Sequence, residues 1–471
     1  MNAPEHRTAR KLILNAFEMN AVGHLSHGLW AHPDDQALRY TDIDYWLDLA
    51  RTLEDGLFDG LFLADALGVY DVYGGGPRTA LTHAVQTPVN DPIPIVAAMA
   101  AATRHLAFGV TAQTGLEPPY LFARRFSTLD HLSKGRIGWN IVTGFLDSAA
   151  RASGAQSAGQ HDARYDHADD YVSGLYRLWE DSWADDAVLR DRATGRFADA
   201  SRIRAIRHEG PHYPFEAIHL SEPSPQRTPV LYQAGASPRG LAFATRHAEC
   251  LFLPNNGVEA TASKVRRIET LLAEHGRSRR DVRLLSSVVV IVAPTRNEAQ
   301  ARYASYRRYA QPLAALAQLA SATGIDFSRY APDEPIVAQA GNAIQSAVAG
   351  LSRAGEPVTV TGLLERMPLG GKFDPVVGSA AEVADALIAY ADATGIDGFN
   401  LVRTVTPQCF RDIASLLVPE LQTRGRFKTA YEPGTYREKL FGRGRNRLPH
   451  HHPGRTAPQH AAFPTSTPDI P

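Results

Sequence analysis

A chain of 471 residues has the length of about three average domains, or of one large α/β barrel carrying insertions. Apolar residues make up 44% and charged residues 21%, which excludes a disordered chain and supplies a sizeable core. The 49 Lys and Arg nearly cancel the 50 Asp and Glu, so no net field gathers nucleic acid or an anionic membrane. Cys250 and Cys409, far apart in the chain, are the sole cysteines, which excludes a disulfide framework and a CxxC zinc or redox pair. The opening MNAPEHRTARKL lacks the apolar segment of a secretion signal, and no run of about 18 apolar residues occurs. A soluble, cytoplasmic protein is expected.

Eight strand candidates follow one another: LILNAFEMN (12–20), GLFLAD (60–65), LAFGVTAQT (106–114), GRIGWNIVTG (135–144), PVLYQAGAS (229–237), ECLFLPN (249–255), RLLSSVVVIVAP (283–294) and GFNLVRT (398–404). Stretches of helical period lie between them, among them DIDYWLDLARTLED (42–55), PIVAAMAAAT (94–103), PYLFARRFSTLDHL (119–132) and ASKVRRIETLLAEH (262–275). Alternating strands and helices in this number predict a (β/α)₈ TIM barrel. A doubly wound sheet lacks its Gly-rich fingerprint after the first strand. Two gaps exceed a simple βα unit, so insertions are expected at 145–228 after strand four and 295–397 after strand seven. Residues 1–447 read as a single barrel domain. Residues 448–471, rich in Pro and His, read as a disordered tail that leaves His450–His452 solvated.

A barrel's active site lies where its strands end at their C-terminal side. Asp65 closes an apolar strand there, as a site residue or as a helix cap. Thr111 and Gln113 end the third strand, toward a ligand or as polar filling. Asn140 follows Trp139, and an inward amide demands a partner that a ligand or a neighbour supplies equally well. QAGASPRG (233–240) is more specific. A strand runs into Gly235, then Ser237 at an N-cap, Pro238 at the first helical position and Gly240 one turn in. Such an uncovered helix start suits a phosphate dianion, or is an ordinary capped helix, with Arg239 adding charge or pointing outward. His161 and Tyr165, four apart at a helix start, share one face beside the first insertion and could clamp an aromatic ligand, or pack under a loop. His24 and His27 in HLSHG invite a metal reading, but no later strand end completes a ligand set. The GGG of YGGGPRTA lacks the Lys-Ser/Thr of a phosphate loop and reads as a turn.

Together these stretches resemble the bacterial-luciferase-like flavin-dependent monooxygenases, specifically the large components of the nitrilotriacetate, EDTA, dibenzothiophene-sulfone and pristinamycin group. The resemblance runs from about residue 10 to about 442. It is carried by LFLADALGVYD (61–71), EPPYLFARRFSTLDHLSKGRIGWNIVT (117–143), HDARY (161–165), LWEDSW (178–183), SPQRTPVLYQAGASPRG (224–240), AECLF (248–252), DGFNL (397–401) and VPELQTRG (418–425). It implies a (β/α)₈ barrel, reduced FMN delivered by a separate NAD(P)H:flavin reductase, and O₂ activated as a flavin C4a-peroxide to oxygenate a small organic substrate. The implied FMN contacts fall on Asp65, Thr111, Asn140, His161, Tyr165, Ser237 and Gly240, with His161 and Tyr165 in catalytic roles and no metal. Gly144 stands where serine is frequent in the family, which bears on the substrate side. Ala236 stands where a second serine is frequent, which removes one phosphate hydroxyl. A homo-oligomer, dimer or tetramer, is expected. Three rivals remain: a deazaflavin-dependent oxidoreductase of the same superfamily, a non-catalytic flavin-binding barrel, and a metal-dependent barrel hydrolase built on His24, His27 and Asp65.

Overall fold

The computed structural model describes residues 10–235, 237–336, 358–371 and 374–455. Eight parallel strands close into a barrel: β1 (Ile13–Met19), β2 (Gly60–Ala64), β3 (Ala107–Gln113), β4 (Ile137–Val142), β5 (Val230–Gln233), β6 (Cys250–Leu253), β7 (Arg283–Ala293) and β8 (Gly398–Val402). Each pairs with the next, and β8 returns to β1 through Ile13 opposite Gly398. All eight lie where the sequence places a strand. A ninth strand, Pro375–Ser379, pairs with Val289–Ala293 on the far half of β7, outside the ring. Its two valines between Pro and Gly are too short a run to show a period.

Side chains alternate across the barrel wall. Leu14 and Ala16 of β1 face outward into a shell that includes Tyr45, Trp46 and Leu49 of the helix Ile43–Asp55. Phe17 faces inward, with Phe62, Tyr232, Phe252 and Leu285. That helix starts where Asp42 accepts the Asp44 N–H at 3.0 Å, and Asp91 caps the helix Pro92–Ala102 in the same way. Trp139 points outward from β4, fully buried against Phe122 at 4.7 Å between ring centroids and Trp179 at 6.3 Å. Truncating a ring so placed costs about 3–5 kcal/mol. Its neighbour Asn140 therefore points into the barrel.

The N-terminal end of the barrel is floored by the helix Tyr436–Phe441. Tyr436 bonds the Tyr232 hydroxyl. Arg437, 1% exposed, pairs with Glu249 at 2.7 Å and donates to the carbonyls of Thr228 and Pro229. With this end sealed, the opening is left at the C-terminal ends of the strands.

Between β4 and β5 the chain forms the helices Asp147–Ala152 and His161–Tyr176 and two small hairpins. Between β7 and β8 it forms the helices Arg296–Arg307, Pro312–Thr323 and Val360–Glu365, then the ninth strand and the helix Ala380–Thr394. The expected disordered tail does not begin at 448. Leu448 is wholly buried in the main core, and His452 is buried with its Nε2 at 2.9 Å from the His247 carbonyl. A neutral imidazole with both nitrogens bonded can leave water at little cost, which its Pro- and His-rich setting does not advertise. Residues 456–471 lie outside the described residues. Among the described residues, no helix is long and apolar enough to cross a membrane.

Candidate active site

A cavity of about 240 Å³ opens at the ends of β2 to β5, more room than one aromatic ring needs. Asp65, Thr111, His161, Tyr165 and Ser237 all line it. These five come from four separate stretches of sequence. Asn140 stands directly behind, donating from Nδ2 to Thr111 Oγ1 at 2.9 Å.

At the outer end, Ser237 caps the helix Pro238–His247, its Oγ accepting the Gly240 N–H at 3.0 Å. Pro238 at the first helical position has no N–H to leave unpaired. The same Oγ lies 3.3 Å from His161 Nε2, and His161 Nδ1 lies 2.6 Å from Asp162. Nδ1 donates to the Asp162 carboxylate, and Nε2 shares a hydrogen bond with the Ser237 hydroxyl, whose donor depends on the ring's tautomer. His161 is not an exposed residue of the mouth: its side chain is 11% exposed. Tyr165 is buried, and burial raises its phenol above the ordinary range. A Cβ at Gly235 or at Gly240 would stand 2.7 Å from Tyr165 Oη. Both glycines are thus needed for the ring to enter between strand end and helix start. Arg239 turns away from this end, toward Asp166 at 2.8 Å and Asp169 at 2.6 Å.

At the inner end, Asp65 is half-buried. Desolvation, with the charge of Asp91 adding to it, pushes its carboxyl up to about 7. Asn140 Oδ1 is buried with no hydrogen-bond partner among the described residues, an acceptor held toward the barrel axis. Gln113 and Gly144 meet here as well. Gly144 has φ +69°, and a Cβ on it would run into the Gln113 amide.

Several lining residues were not singled out from the sequence as site residues. Gln233 ends β5 and Arg164 follows His161 by three, its Nη1 donating to the Gly159 carbonyl at 2.9 Å. Leu67, Phe145, Leu146 and Ala149 give the remaining wall an apolar surface. The strand-end rule reaches Gln233; the apolar wall, coming from loops and the first insertion, carries no periodic signal.

His24 and His27 do not join Asp65 in a metal site. Both are buried, His24 edge-on to Phe17 and His27 Nε2 3.0 Å from Gln318 Oε1. Burial drives both imidazoles toward the neutral form, His27 down to about 4. Among the described residues, no group of three or more His, Cys, Asp or Glu side chains is placed to hold a metal ion.

The donor set fits a planar ligand carrying a phosphate. A capped helix start, a serine hydroxyl and an imidazole stand at one end, and the Thr111 hydroxyl lines the wall with Asn140 bonded behind it. The family described as luciferase-like monooxygenase matches residues 21–397. A long-chain alkane monooxygenase of Geobacillus thermodenitrificans is 46% identical, over 94% of this chain and 97% of its own. A dimethyl-sulfide monooxygenase of Hyphomicrobium sulfonivorans is 44% identical, over 94% of this chain and 93% of its own. A solved riboflavin lyase, holding a modified FMN and riboflavin, is 38% identical with a TM-score of 0.89, covering 94% of this chain and 99% of that one. The chain belongs to the luciferase-like monooxygenase family.

Proposed function

We propose that this protein is the oxygenating component of a two-component system, taking reduced FMN from a separate flavin reductase and using O₂ to put one oxygen atom into a small organic substrate. The observation that carries this reading is the meeting of Ser237, His161 and Tyr165 at one end of a cavity that Asp65 and Thr111 also line, with Asn140 bonded behind Thr111. Ser237 and the helix start behind it hold the phosphate. His161 and Tyr165 close over the ligand from the insertion side. Thr111 offers a hydroxyl, and Asn140 behind it a carbonyl oxygen that has no partner among the described residues. Bound reduced flavin supplies the electrons that activate O₂; the chain's part is to orient the ring and keep water out.

The apolar wall of Leu67, Phe145 and Leu146 favours a neutral, apolar substrate over a polyanion. The two monooxygenase relatives above are named for an alkane and a thioether. A third relative, 32% identical, is named as component A of a nitrilotriacetate monooxygenase, which supports the reductase as partner. Anaerobic titration with reduced FMN, followed by mixing with O₂, tests the reading. Saturable binding, with O₂ use that speeds up when reductase, NADH and an apolar substrate are present, is expected. Tight binding of a deazaflavin with none of FMN would replace it by the dehydrogenase alternative, and flavin binding without turnover by a binding protein.

A further inference from the structure

The two helices that face the phosphate end are gripped by one carboxylate outside the cavity. Asp169 lies on the helix His161–Tyr176, one turn beyond Tyr165. Its Oδ2 accepts from Arg239 Nη2 at 2.6 Å, and its Oδ1 accepts from His247 Nε2 at 2.7 Å. Arg239 and His247 belong to the first and last turns of the helix Pro238–His247. A single side chain on one helix thus holds the other at both ends. Burial alone would raise the Asp169 carboxyl, but the hydrogen bonds from His247 and Arg239, with the charge of Arg239, hold it below its ordinary value.

Each partner is itself locked. Arg239 also bonds Asp166 at 2.8 Å, and its guanidinium lies 5.5 Å over the Tyr165 ring. His247 donates from Nε2, which leaves Nδ1 to accept the Tyr176 hydroxyl at 3.1 Å; burial keeps the ring neutral. The His247 carbonyl accepts from His452 Nε2 at 2.9 Å, and His452 Nδ1 accepts the Gly454 N–H at 3.0 Å. The C-terminal segment is therefore the third member of the cluster.

We propose that Asp169, with His452 behind His247, is a positioning residue. By fixing one helix against the other it sets the spacing between Ser237 and the pair His161 and Tyr165, and so the grip on a phosphate-bearing flavin. This rests on the flavin reading above. Charge-assisted bonds of this length are about twice as strong as neutral ones. Two of them spanning a helix–helix contact resist the small shifts that a phosphate site does not tolerate.

The test compares Asp169→Asn, His452→Ala and His452→Gln in the full chain, each titrated with FMN and with riboflavin and each melted. Asp169→Asn should weaken FMN about tenfold and riboflavin less than about twofold, so that the preference for the phosphate ester falls. His452→Ala should lower that preference in the same direction, and His452→Gln, which keeps an N–H for the His247 carbonyl, should restore it. An earlier melt with the preference intact, or equal losses for both flavins, overturns the proposal and leaves a purely structural cluster. If the unaltered protein already binds FMN no better than riboflavin, the phosphate reading itself fails, and that result is read before any variant is made.

Discussion

Ser237 Oγ stands 3.3 Å from His161 Nε2, although 76 residues separate them in the chain. The contact joins the helix after β5 to the helix in the insertion after β4, and it gives the serine two tasks. As a cap it accepts the Gly240 N–H, a bond worth about 1 kcal/mol to the helix. On the proposed flavin reading it also offers a hydroxyl to the phosphate, worth about 1.5–3 kcal/mol when the acceptor is charged. Ser237→Ala should therefore weaken FMN by roughly one to two orders of magnitude while riboflavin changes little. Ser237→Gly, which costs a cap only a few tenths of a kcal/mol, separates the tasks. Equal losses for FMN and riboflavin in both variants would leave the serine as a cap alone.

Gly144 makes a second prediction. Its φ of +69° is left-handed, and the space where its Cβ would stand holds the Gln113 amide. Gly144→Ala should destabilise by about 1–2 kcal/mol from backbone strain alone, with a further loss from the displaced glutamine. Pairing it with Gln113→Ala should recover the second part and not the first, a positive coupling in a denaturant double-mutant cycle. Strict additivity would mean that the glutamine swings clear without cost. Because both residues line the cavity, the substitution also changes the shape of the cavity wall.

The barrel was legible because its signal is local. Each of the eight strands is an apolar run bounded by turns or helical stretches, and Asp65, Thr111 and Ser237 each sit at a strand end or first cap that position alone marks. His161 and Tyr165 were legible from their spacing of four. What escaped has long-range causes. Nothing near His452 announces that the His247 carbonyl will accept its proton 205 residues away, so a buried strap reads as a solvated tail. The ninth strand is defined by its pairing with β7 rather than by its own five residues. The bond between His161 and Ser237 likewise joins residues of two separate elements.

Asp65 carries a pH dependence. Its folded carboxyl is pushed up to about 7 from an ordinary 3.8, first by burial and then by Asp91. A raised carboxylate means that the folded state binds the proton more tightly than the unfolded state, so stability is highest when the group is protonated in both. The cost begins as pH rises past about 4, where the unfolded chain ionises, grows to about 7, and is constant above. Asp65→Asn removes the cost. Its melting temperature relative to the parent should climb between pH 4 and pH 7 and then level off. A difference independent of pH would mean that Asp65 is ionised in the fold throughout.

The last prediction separates His161 the ligand from His161 the strut. Its side chain is 11% exposed and holds bonds to Asp162 and Ser237, so His161→Ala gives up two hydrogen bonds of about 1 kcal/mol each and lowers the melting temperature by a few degrees. Stability alone therefore cannot decide its role. Coupling can: a group that closes the flavin end of the cavity keeps water from the activated oxygen, and its loss should divert reducing equivalents into free hydrogen peroxide. With reductase held constant, hydrogen peroxide released per NADH consumed should rise several-fold in His161→Ala. It should rise less in His161→Gln, which keeps a polar group toward Ser237. If both variants melt early yet stay fully coupled, the histidine serves to brace Ser237, and the flavin is closed over by Tyr165 alone.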